Sequence, residues 1–243
     1  MKQENIKKLC EAFAKLNIEM TDVKLQQLQL YMEGILEWNQ HVNLTAITDE
    51  DDFVQKHYID SLLCANADKF RSAQKILDMG TGGGFPGIPL AIAFPDKEFV
   101  LADSLNKRIR IINELAAKAG ISNISAVHGR AEELARKLEY REQFDACVSR
   151  AVANMSTLSE YCLPYVKVGG WFIAYKGPDC EAEISAAAKA IQRMGGGKAE
   201  IRNAGFDSAP LPFQHKLVFI EKVTPTPKAY PRKAGTPGKD PIK

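Results

Sequence analysis

A glycine-rich run at residues 78–84, DMGTGGG, is the strongest candidate for chemistry in this sequence. It ends the apolar stretch KILDMG, which predicts a buried strand, and precedes FPGIPLAIAFP, which predicts a helix beginning behind Pro86. Glycines allow positive φ and let a ligand approach the backbone closely. The N–H groups that begin the following helix attract negative charge. The pattern predicts a loop for a nucleotide-like ligand, and a turn that simply needs glycine is the alternative.

Asp103 strengthens this interpretation, because it lies 23 residues beyond Gly80 at the end of a second predicted strand, EFVLADS. A carboxylate there can accept both hydroxyls of a ribose. Dinucleotides and S-adenosylmethionine both fit such a site, although Gly80-x-Gly82-x-Gly84 has a tighter period than the dinucleotide pattern. Asp78 favours S-adenosylmethionine, because an acid before the first glycine suits a positive amino group and sulfonium and would repel a pyrophosphate.

The ends of the third and fourth predicted strands, SAVHGR and FDACVSRA, carry two further candidates. The first exit, HGRAE at 128–132, lies where an adenine is expected to rest, and a plain strand-to-helix turn with Glu132 in its first turn is the alternative. The second exit places Arg150 at the edge that faces the ligand crevice in doubly wound folds. Arg150 there can bind a carboxylate, an RNA phosphate or a guanine edge, or form a surface ion pair.

The motifs that are missing after the fourth strand restrict the chemistry. No Asn/Asp-Pro-Pro-aromatic run follows it, which disfavours methylation of exocyclic base amines. No cysteine lies beside a proline there, so covalent attack on a pyrimidine carbon lacks its nucleophile, and Cys147 and Cys162 are predicted to be core residues. A substrate atom with an available lone pair, such as guanine N7, needs only alignment and electrostatic stabilisation.

Several other polar residues have two interpretations each. His57 and Asp60, three apart on a helix predicted over about 51–68, either face the cleft or form a helix-surface pair. The cations Lys176, Arg232 and Lys233 either bind RNA phosphates or are simply solvated. His41 and His215 have no ligand-like partners in the sequence and are assigned no role.

The predicted helices and strands that carry these residues fall into three regions of the chain. Residues 1–71 form a helical N-terminal extension, in which Leu9 and Phe13 share one face of the first helix and Thr21 is an N-cap candidate for the second.

Residues 72–223 alternate strands and helices, which predicts a doubly wound, mostly parallel α/β core with a hairpin-like end. The helices predicted in this region include one that Gly120 ends and two others over AEELARKL and EISAAAKAIQRMG. Residues 224–243 are rich in proline, glycine and lysine, carry a local charge of +4, and cannot bury enough apolar surface to order themselves.

The composition excludes several classes of protein. Apolar residues make up 45% and charged residues 26%, which is typical of a globular protein. The five cysteines include no C-x-x-C pair, which argues against a disulfide framework or zinc site and for a reducing compartment. Neither a secretory signal nor an apolar run of about 18 residues is present. We therefore expect a cytoplasmic monomer that binds neither metal nor membrane.

Taken together, these residues resemble the RsmG (GidB) family of bacterial methyltransferases, which modify guanine N7 in 16S small-subunit ribosomal RNA. The resemblance covers nearly the whole chain through seven motifs in order: NLTAIT at 43–48, KHYIDSL at 56–62, ILDMGTGGGFPGIPLAI at 76–92, DSLNKR at 103–108, HGRAEE at 128–133, SRAVA at 149–153 and YPRKAGTPGKDPI at 230–242. Several independent motifs make the resemblance far more specific than the glycine loop alone.

The resemblance implies a class I S-adenosylmethionine-dependent methyltransferase fold, with 16S ribosomal RNA or the small ribosomal subunit particle as substrate near the decoding site. Arg150 is predicted to lie near both cofactor and target and to align the substrate. The residues predicted to bind the cofactor, from the sequence and the resemblance together, are Asp78, Gly80, Gly82, Phe85, Asp103, Ala131, Glu132 and Arg150. An NAD(P)-dependent oxidoreductase and a non-catalytic RNA-binding protein with a relic cofactor site are the alternatives.

Overall fold

Two amphipathic helices, α1 (Gln3–Lys15) and α2 (Asp22–Asn39), come first in the chain. A computed structural model describes residues 1–206 and 215–243, whereas residues 207–214, within the predicted core region, lie outside the described part. Leu9 and Phe13, predicted to share one face of the first helix, are both fully buried. Thr21 begins the second helix as predicted, because its Oγ1 accepts a hydrogen bond from the backbone N–H of Lys24 at 3.3 Å.

The helix predicted over residues 51–68 is present through Asn66, but it is not a regular α-helix. The chain there forms short helical pieces in series: α3 (Glu50–Phe53), a π-helical segment (Val54–Ile59), α4 (Asp60–Leu62), a 3₁₀ turn (Leu63–Asn66) and α5 (Asp68–Arg71). A π-helical turn bonds residue i to i+5 and so holds one more residue than an α-helical turn. Asp60, which directly follows this wider turn, is fully buried.

A mixed sheet follows, and it confirms the predicted doubly wound topology. Its strands are β1 (Lys75–Met79), β2 (Glu98–Asp103), β3 (Ile124–His128), β4 (Phe144–Arg150), β5 (Val166–Lys176), β6 (Glu200–Asn203) and β7 (Lys216–Glu221). The spatial order is β3-β2-β1-β4-β5-β7-β6. The first five pair in parallel, and β7 runs antiparallel to both β5 and β6, which confirms the hairpin-like end.

Helices connect the parallel strands, with two departures from the predicted pattern. Their bounds are α6 (Gly87–Ala93), α7 (Asn106–Ala119), α8 (Ala131–Leu134), α9 (Met155–Cys162), α10 (Glu181–Ala186) and α11 (Ala188–Arg193). The helix predicted over AEELARKL is shorter, and the one predicted over EISAAAKAIQRMG is divided at Ala187. Gly120, in the left-handed conformation at φ +68, ends α7 as predicted.

Each face of the sheet has its own hydrophobic core. On one face, the N-terminal helices and α6 and α7 pack together, so that Phe13 and Tyr31 share a core with Phe99 of β2 and Ile112 of α7. On the other face, α8, α9, α10 and α11 pack against Phe172. Because the N-terminal helices supply much of the first core, residues 1–71 and the sheet bury each other's apolar surface.

The proline-rich tail is packed against the second core. Pro231 and Pro237 are buried, and Ile242 is 6% exposed within that core. A short helix, α12 (Thr236–Lys239), lies in this segment. The tail has little apolar surface of its own, but the sheet domain supplies a surface on which it can bury a few well-spaced side chains.

An ion pair between Arg232 and Glu160 fixes the tail on helix α9. Glu160 is fully buried and accepts hydrogen bonds from the Arg232 backbone N–H, from Nε and from a terminal nitrogen at 2.8 Å. A buried carboxylate is costly unless it is paired and hydrogen-bonded. The interaction therefore makes Arg232 a structural residue of the folded chain.

Replacing Arg232→Ala is expected to lower the free energy of unfolding by about 3 kcal/mol, because the Glu160 carboxylate loses its compensating charge. The neighbouring variant Lys233→Ala, at an exposed position, is expected to change it by less than about 0.5 kcal/mol. Urea unfolding of both variants measures the difference. Equal stabilities for the two variants would contradict the structural role of Arg232.

Candidate functional site

The glycine loop lies at the carboxyl edge of the sheet, where the strand order reverses between β1 and β4. Gly80 has φ +73, and a Cβ there would lie 2.4 Å from Cγ2 of Val152. Only glycine therefore fits between the loop and the segment that follows β4. Gly82 also has a positive φ, +60, but no neighbouring atom lies within 4 Å of an added Cβ. The loop is closed at its β4 side and open at Gly82.

Asp103 fixes the loop from the end of β2. Its carboxylate accepts hydrogen bonds from the backbone N–H groups of Gly82 at 3.0 Å and of Leu105 at 2.9 Å, and Arg108 lies 3.4 Å away. The side chain is 4% exposed, and it contributes to the lining of an adjacent cavity. A carboxylate held in this way keeps further lone pairs for ligand hydroxyls.

A cavity of about 120 Å³ continues from the loop along the ends of the strands. Its lining combines backbone from the glycine loop with side chains that follow β2, β3 and β4: Met79, Gly80, Asp103, Ser104, Gly129, Arg130, Ala131, Glu132, Val152 and Tyr161. Two acids and several close-approach backbone positions suit a ligand with hydroxyl and amino donors. Of the predicted cofactor-binding residues, Gly80, Asp103, Ala131 and Glu132 meet in this lining.

Ala131 and Glu132 are held at the cavity by contacts behind them. The Tyr165 hydroxyl donates to the Ala131 carbonyl at 2.6 Å, and the backbone N–H of Gly235 donates to Glu132 Oε1 at 2.7 Å. Glu132 is 4% exposed. The exit of β3 is therefore more than a plain strand-to-helix turn, because its acid is buried, hydrogen-bonded and part of the cavity wall.

Asp78 has a different position from the one expected of a direct ligand contact. It is fully buried beneath the loop, where its Oδ2 accepts hydrogen bonds from the Thr81 hydroxyl at 2.6 Å and the Gly87 N–H at 2.8 Å. Its Oδ1 has no hydrogen-bond partner among the described residues. Burial raises the pKa of Asp78 to about 6, although these two hydrogen bonds act in the opposite direction. Any effect of its charge on a ligand would therefore act through the loop, and the cofactor contact predicted for Asp78 stays a prediction.

Phe85 likewise lies outside the cavity lining. It is 6% exposed, its ring stacks on His57 with centroids 4.2 Å apart, and Tyr31, Phe53 and Tyr58 surround it. These ring contacts join the glycine loop to the N-terminal helices. The structure thus gives Phe85 a place in the support of the site, and the cofactor contact implied by the resemblance stays a prediction.

Arg150 is the centre of a polar cluster at the end of β4. Its Nη1 donates to Asp60 Oδ2 at 2.7 Å and to the Lys56 carbonyl at 2.9 Å. Its Nη2 lies 3.3 Å from His57 Nδ1. The Arg150 side chain is 13% exposed and that of Asp60 is 1% exposed. His57 and Asp60 are therefore not a helix-surface pair. Both face the crevice and hold Arg150.

His215, which was assigned no role from its sequence context, completes this cluster, because its Nδ1 lies 2.8 Å from Asp60 Oδ1. A signal for this position existed in the strand pairing. Lys176 at the end of β5 pairs with Lys216 of the antiparallel β7, so residue 215 must lie at the carboxyl edge.

The pKa of His57 is lowered to about 3 by burial and by the charge of Arg150, so His57 is neutral at physiological pH.

A second cavity, of about 440 Å³, opens on the Arg150 cluster. It is lined by Ile47, Lys56, His57, Asp60, Arg150, Ala151, Tyr175, Lys176, Gly177 and His215. The turn after β4 separates the two cavities, because Arg150 lines this one while Val152 lines the first. Ala151 between them adopts the left-handed conformation at φ +57, which is strained for a residue with a Cβ and turns the chain sharply.

The three cations that were predicted to bind RNA differ in their partners and in their exposure. Lys176 donates to the Ala153 carbonyl at 2.9 Å and to Glu183 at 2.7 Å, so its charge is used inside the protein, at the edge of the second cavity. Arg232 is bound to the buried Glu160, which argues against an RNA contact. Lys233 is exposed, and its RNA contact stays a prediction.

Other expectations concern residues outside the cavities. Cys147 and Cys162 are fully buried in the second core, which confirms their packing role. In the described part of the chain, no cluster of three or more His, Cys, Asp or Glu side chains is arranged to bind a metal. No helix in the described ranges is both long enough and apolar enough to cross a membrane.

This sheet order, with a glycine loop after β1 and an acid at the end of β2, is that of class I S-adenosylmethionine-dependent methyltransferases. A solved structure of the O-methyltransferase from Bacillus cereus in complex with SAH has this fold. It superposes with a TM-score of 0.54 at 18% sequence identity, over 79% of this chain and 90% of that one.

Sequence relatives identify the family within this class. The family model of rRNA small subunit methyltransferase G (GidB) matches residues 24–207. The ribosomal RNA small subunit methyltransferase G of Clostridium novyi is 50% identical over 226 residues, 93% of this chain and 92% of that protein. The protein of the same name from Clostridium perfringens is 46% identical over 98% of both chains. The chain belongs to the rRNA small subunit methyltransferase G (GidB) family, and neither the oxidoreductase nor the relic-site alternative gains support.

The buried Asp78 predicts a specific pH dependence of stability. Its folded-state pKa of about 6 exceeds the ordinary value of 3.8, so its contribution to stability is greatest below pH 3.8 and is lost as the pH rises through 6. Asn at this position keeps an oxygen for Thr81 and Gly87 and does not ionise. Between pH 5 and 7.5, the free energy of unfolding of Asp78→Asn minus that of the wild type should rise by about 1.4 kcal/mol.

Chemical denaturation across this pH range measures the difference. Asp145→Asn is the control: burial acts to raise the pKa of Asp145, but hydrogen bonds from Lys75 and Lys167 outweigh it and lower the pKa. Its stability difference should therefore be flat between pH 5 and 7.5, because its titration lies at lower pH. A flat difference for Asp78→Asn as well would contradict the ionisation of Asp78 near pH 6.

Proposed function

We propose that this chain transfers the methyl group of S-adenosylmethionine to N7 of a guanine in 16S ribosomal RNA, near the decoding site. Membership of the rRNA small subunit methyltransferase G family supports this activity. The observation that carries the proposal is the pair of adjoining cavities at one sheet edge, separated by residues 150–152. We further propose that the protein acts as a cytoplasmic monomer on the RNA or the small-subunit particle.

The first cavity is our proposed cofactor site. When bound, S-adenosylmethionine supplies an electrophilic methyl group on a positively charged sulfur. Gly80 and Gly82 would let the methionine part approach the loop backbone, and Asp103 would accept the ribose hydroxyls. Ala131 and Glu132 would face the adenine. Asp78, beneath the loop, would favour the positive amino group through its charge.

The second cavity is our proposed site for the target guanine. N7 must keep its lone pair free for methylation, so Arg150 would bind the neighbouring acceptor O6 and not N7 itself. A guanidinium has five N–H donors, of which the described contacts use three. Ile47 and the ring of His57 line the same cavity and give a base apolar surface to pack on.

Charge balance explains why Arg150 is paired with a buried acid. Methylation at N7 leaves a positive charge on the guanine, which an unpaired guanidinium would oppose. Asp60 lies 2.7 Å from Arg150 and neutralises it, so the pair can position O6 without raising the energy of the cationic product. The reaction needs no general base, which agrees with an acid already engaged by Arg150 and His215 and with a His57 whose pKa of about 3 makes it a weak base.

Transfer of labelled methyl from S-adenosylmethionine to undermethylated small-subunit particles, followed by mapping of the modified base, tests the activity. We expect label at N7 of one guanine near the decoding site. Parallel reactions with naked 16S RNA identify the form that is the substrate. No incorporation into either RNA would favour the non-catalytic alternative, and calorimetric binding of NADH without S-adenosylmethionine binding would favour the oxidoreductase.

Arg150→Gln is expected to lower the rate of methyl transfer about 10- to 100-fold at saturating cofactor, because it removes a charged hydrogen bond to the target base. Arg202→Gln makes the same substitution on the edge strand β6, at a more exposed position that lines neither cavity, and should leave the rate unchanged. Single-turnover kinetics and a thermal unfolding curve separate catalysis from folding. A wild-type rate in a folded Arg150→Gln protein would remove Arg150 from the site.

A further inference from the structure

The C-terminal segment 230–240 contacts the wall of the proposed cofactor cavity from behind. The Gly235 N–H donates to Oε1 of Glu132 at 2.7 Å, and Glu132 lines the cavity. Gly235 reaches this position in the left-handed conformation, φ +83, which favours glycine. One oxygen of the Glu132 carboxylate is thereby fixed by the tail, which restricts the side chain to one orientation.

The same segment is bound to the chain that follows α8. Arg136 donates to the Pro231 carbonyl, and Arg141 donates to the Tyr230 carbonyl at 2.9 Å. Arg141 also donates to the carbonyl of Thr226, which precedes the segment in the tail, at 2.7 Å. Counting the Glu132 contact, hydrogen bonds join the tail to α8 and the residues after it at three side chains. The position of α8 at the cavity therefore depends on the tail.

Helix α9 is joined to the tail in the same way. The Thr157 hydroxyl donates to the Pro237 carbonyl at 3.0 Å, and the buried Glu160 binds Arg232. Tyr161, which directly follows Glu160 on α9, is also a lining residue of the cofactor cavity. The tail thus bridges the two helices that supply Glu132 and Tyr161 to the same cavity wall.

We propose that residues 230–240 are a positioning element for the adenosine end of the cofactor site, with Gly235 orienting Glu132. This inference rests on the proposed function, because it takes the first cavity as the cofactor site. Groups that are preorganised by a supporting layer bind a ligand without losing further side-chain freedom. The tail, which the sequence associates with RNA through its positive charge, acts here as a determinant of cofactor affinity.

The test is titration of the full-length protein with S-adenosylhomocysteine, the demethylated form of the cofactor. Gly235→Ala disfavours the left-handed backbone that directs the N–H to Glu132, and we expect Kd to rise about three- to tenfold. Gly169→Ala is the matched control. Gly169 has nearly the same φ, +86, and an added Cβ would again meet no atom within 4 Å, but it lies at the amino end of the sheet. Its Kd should equal that of the wild type.

A second variant approaches the tail from the core. Thr157→Val removes the hydroxyl that donates to the Pro237 carbonyl, and Thr157 is not itself a lining residue of the cavity. We expect it to raise Kd in the same direction as Gly235→Ala. In methyl-transfer assays both variants should raise KM for S-adenosylmethionine while kcat at saturating cofactor is retained, a split that a general loss of folded protein would not produce.

The outcomes separate this inference from the proposed function. Wild-type protein that fails to bind S-adenosylhomocysteine would overturn the proposed cofactor site itself. Wild-type binding together with unchanged Kd values for folded Gly235→Ala and Thr157→Val would overturn the positioning role alone. An equal rise in Kd for Gly169→Ala would also overturn it, because the effect would then follow from backbone strain anywhere in the fold.

Discussion

Two backbone segments approach each other closely at the carboxyl edge of the sheet. The positions of both cavities depend on this contact. Gly80, after β1, leaves no room for a side chain because Val152, after β4, packs directly against it. The chain leaves these two neighbouring strands toward opposite faces of the sheet, so a crevice must open where they part. The first cavity lies on one side of this contact and the Arg150 cluster lies on the other. A bulkier residue at position 80 would separate the strand ends that both cavities share.

Buried acids hold this edge together. Asp103 fixes the glycine loop, Asp60 fixes Arg150, Glu132 is bound by the tail, and Glu160 binds the tail in turn. Each carboxylate is expensive to bury alone and is satisfied by a partner from a distant part of the sequence. The site is therefore assembled by long-range polar contacts on a hydrophobic framework, and its geometry is coupled to the folding of the whole chain.

The sequence predicted the framework better than the details of the site. Apolar periodicity was sufficient to predict the parallel strands and the hairpin-like end, and residue type was sufficient to predict the cap at Thr21. These features depend on local patterns. Periodicity predicted a helix over residues 51–68 but not the π-helical segment within it, which leaves the apolar pattern almost unchanged. It also missed His215, whose partner Asp60 is 155 residues away. Asp78 and Phe85 were recognised as important, but burial beneath and beside the loop is a tertiary property that spacing does not reveal. Arg232 was predicted to bind RNA because of its charge. Its partner Glu160 lies on α9, and nothing in the sequence indicates that these two residues pair.

The π-helical segment Val54–Ile59 has a consequence for how the length of this chain can vary. A single deletion within it could convert the wide turn into an ordinary α-helical one and leave the helix intact. Every residue before the deletion would then be rotated by about 100° relative to those after it. When the deleted residue lies between His57 and Asp60, these two side chains would no longer face Arg150 together, although neither of them had been removed. Lineages of this protein should therefore tolerate changes of residue type at the exposed positions of this segment far better than the gain or loss of one residue.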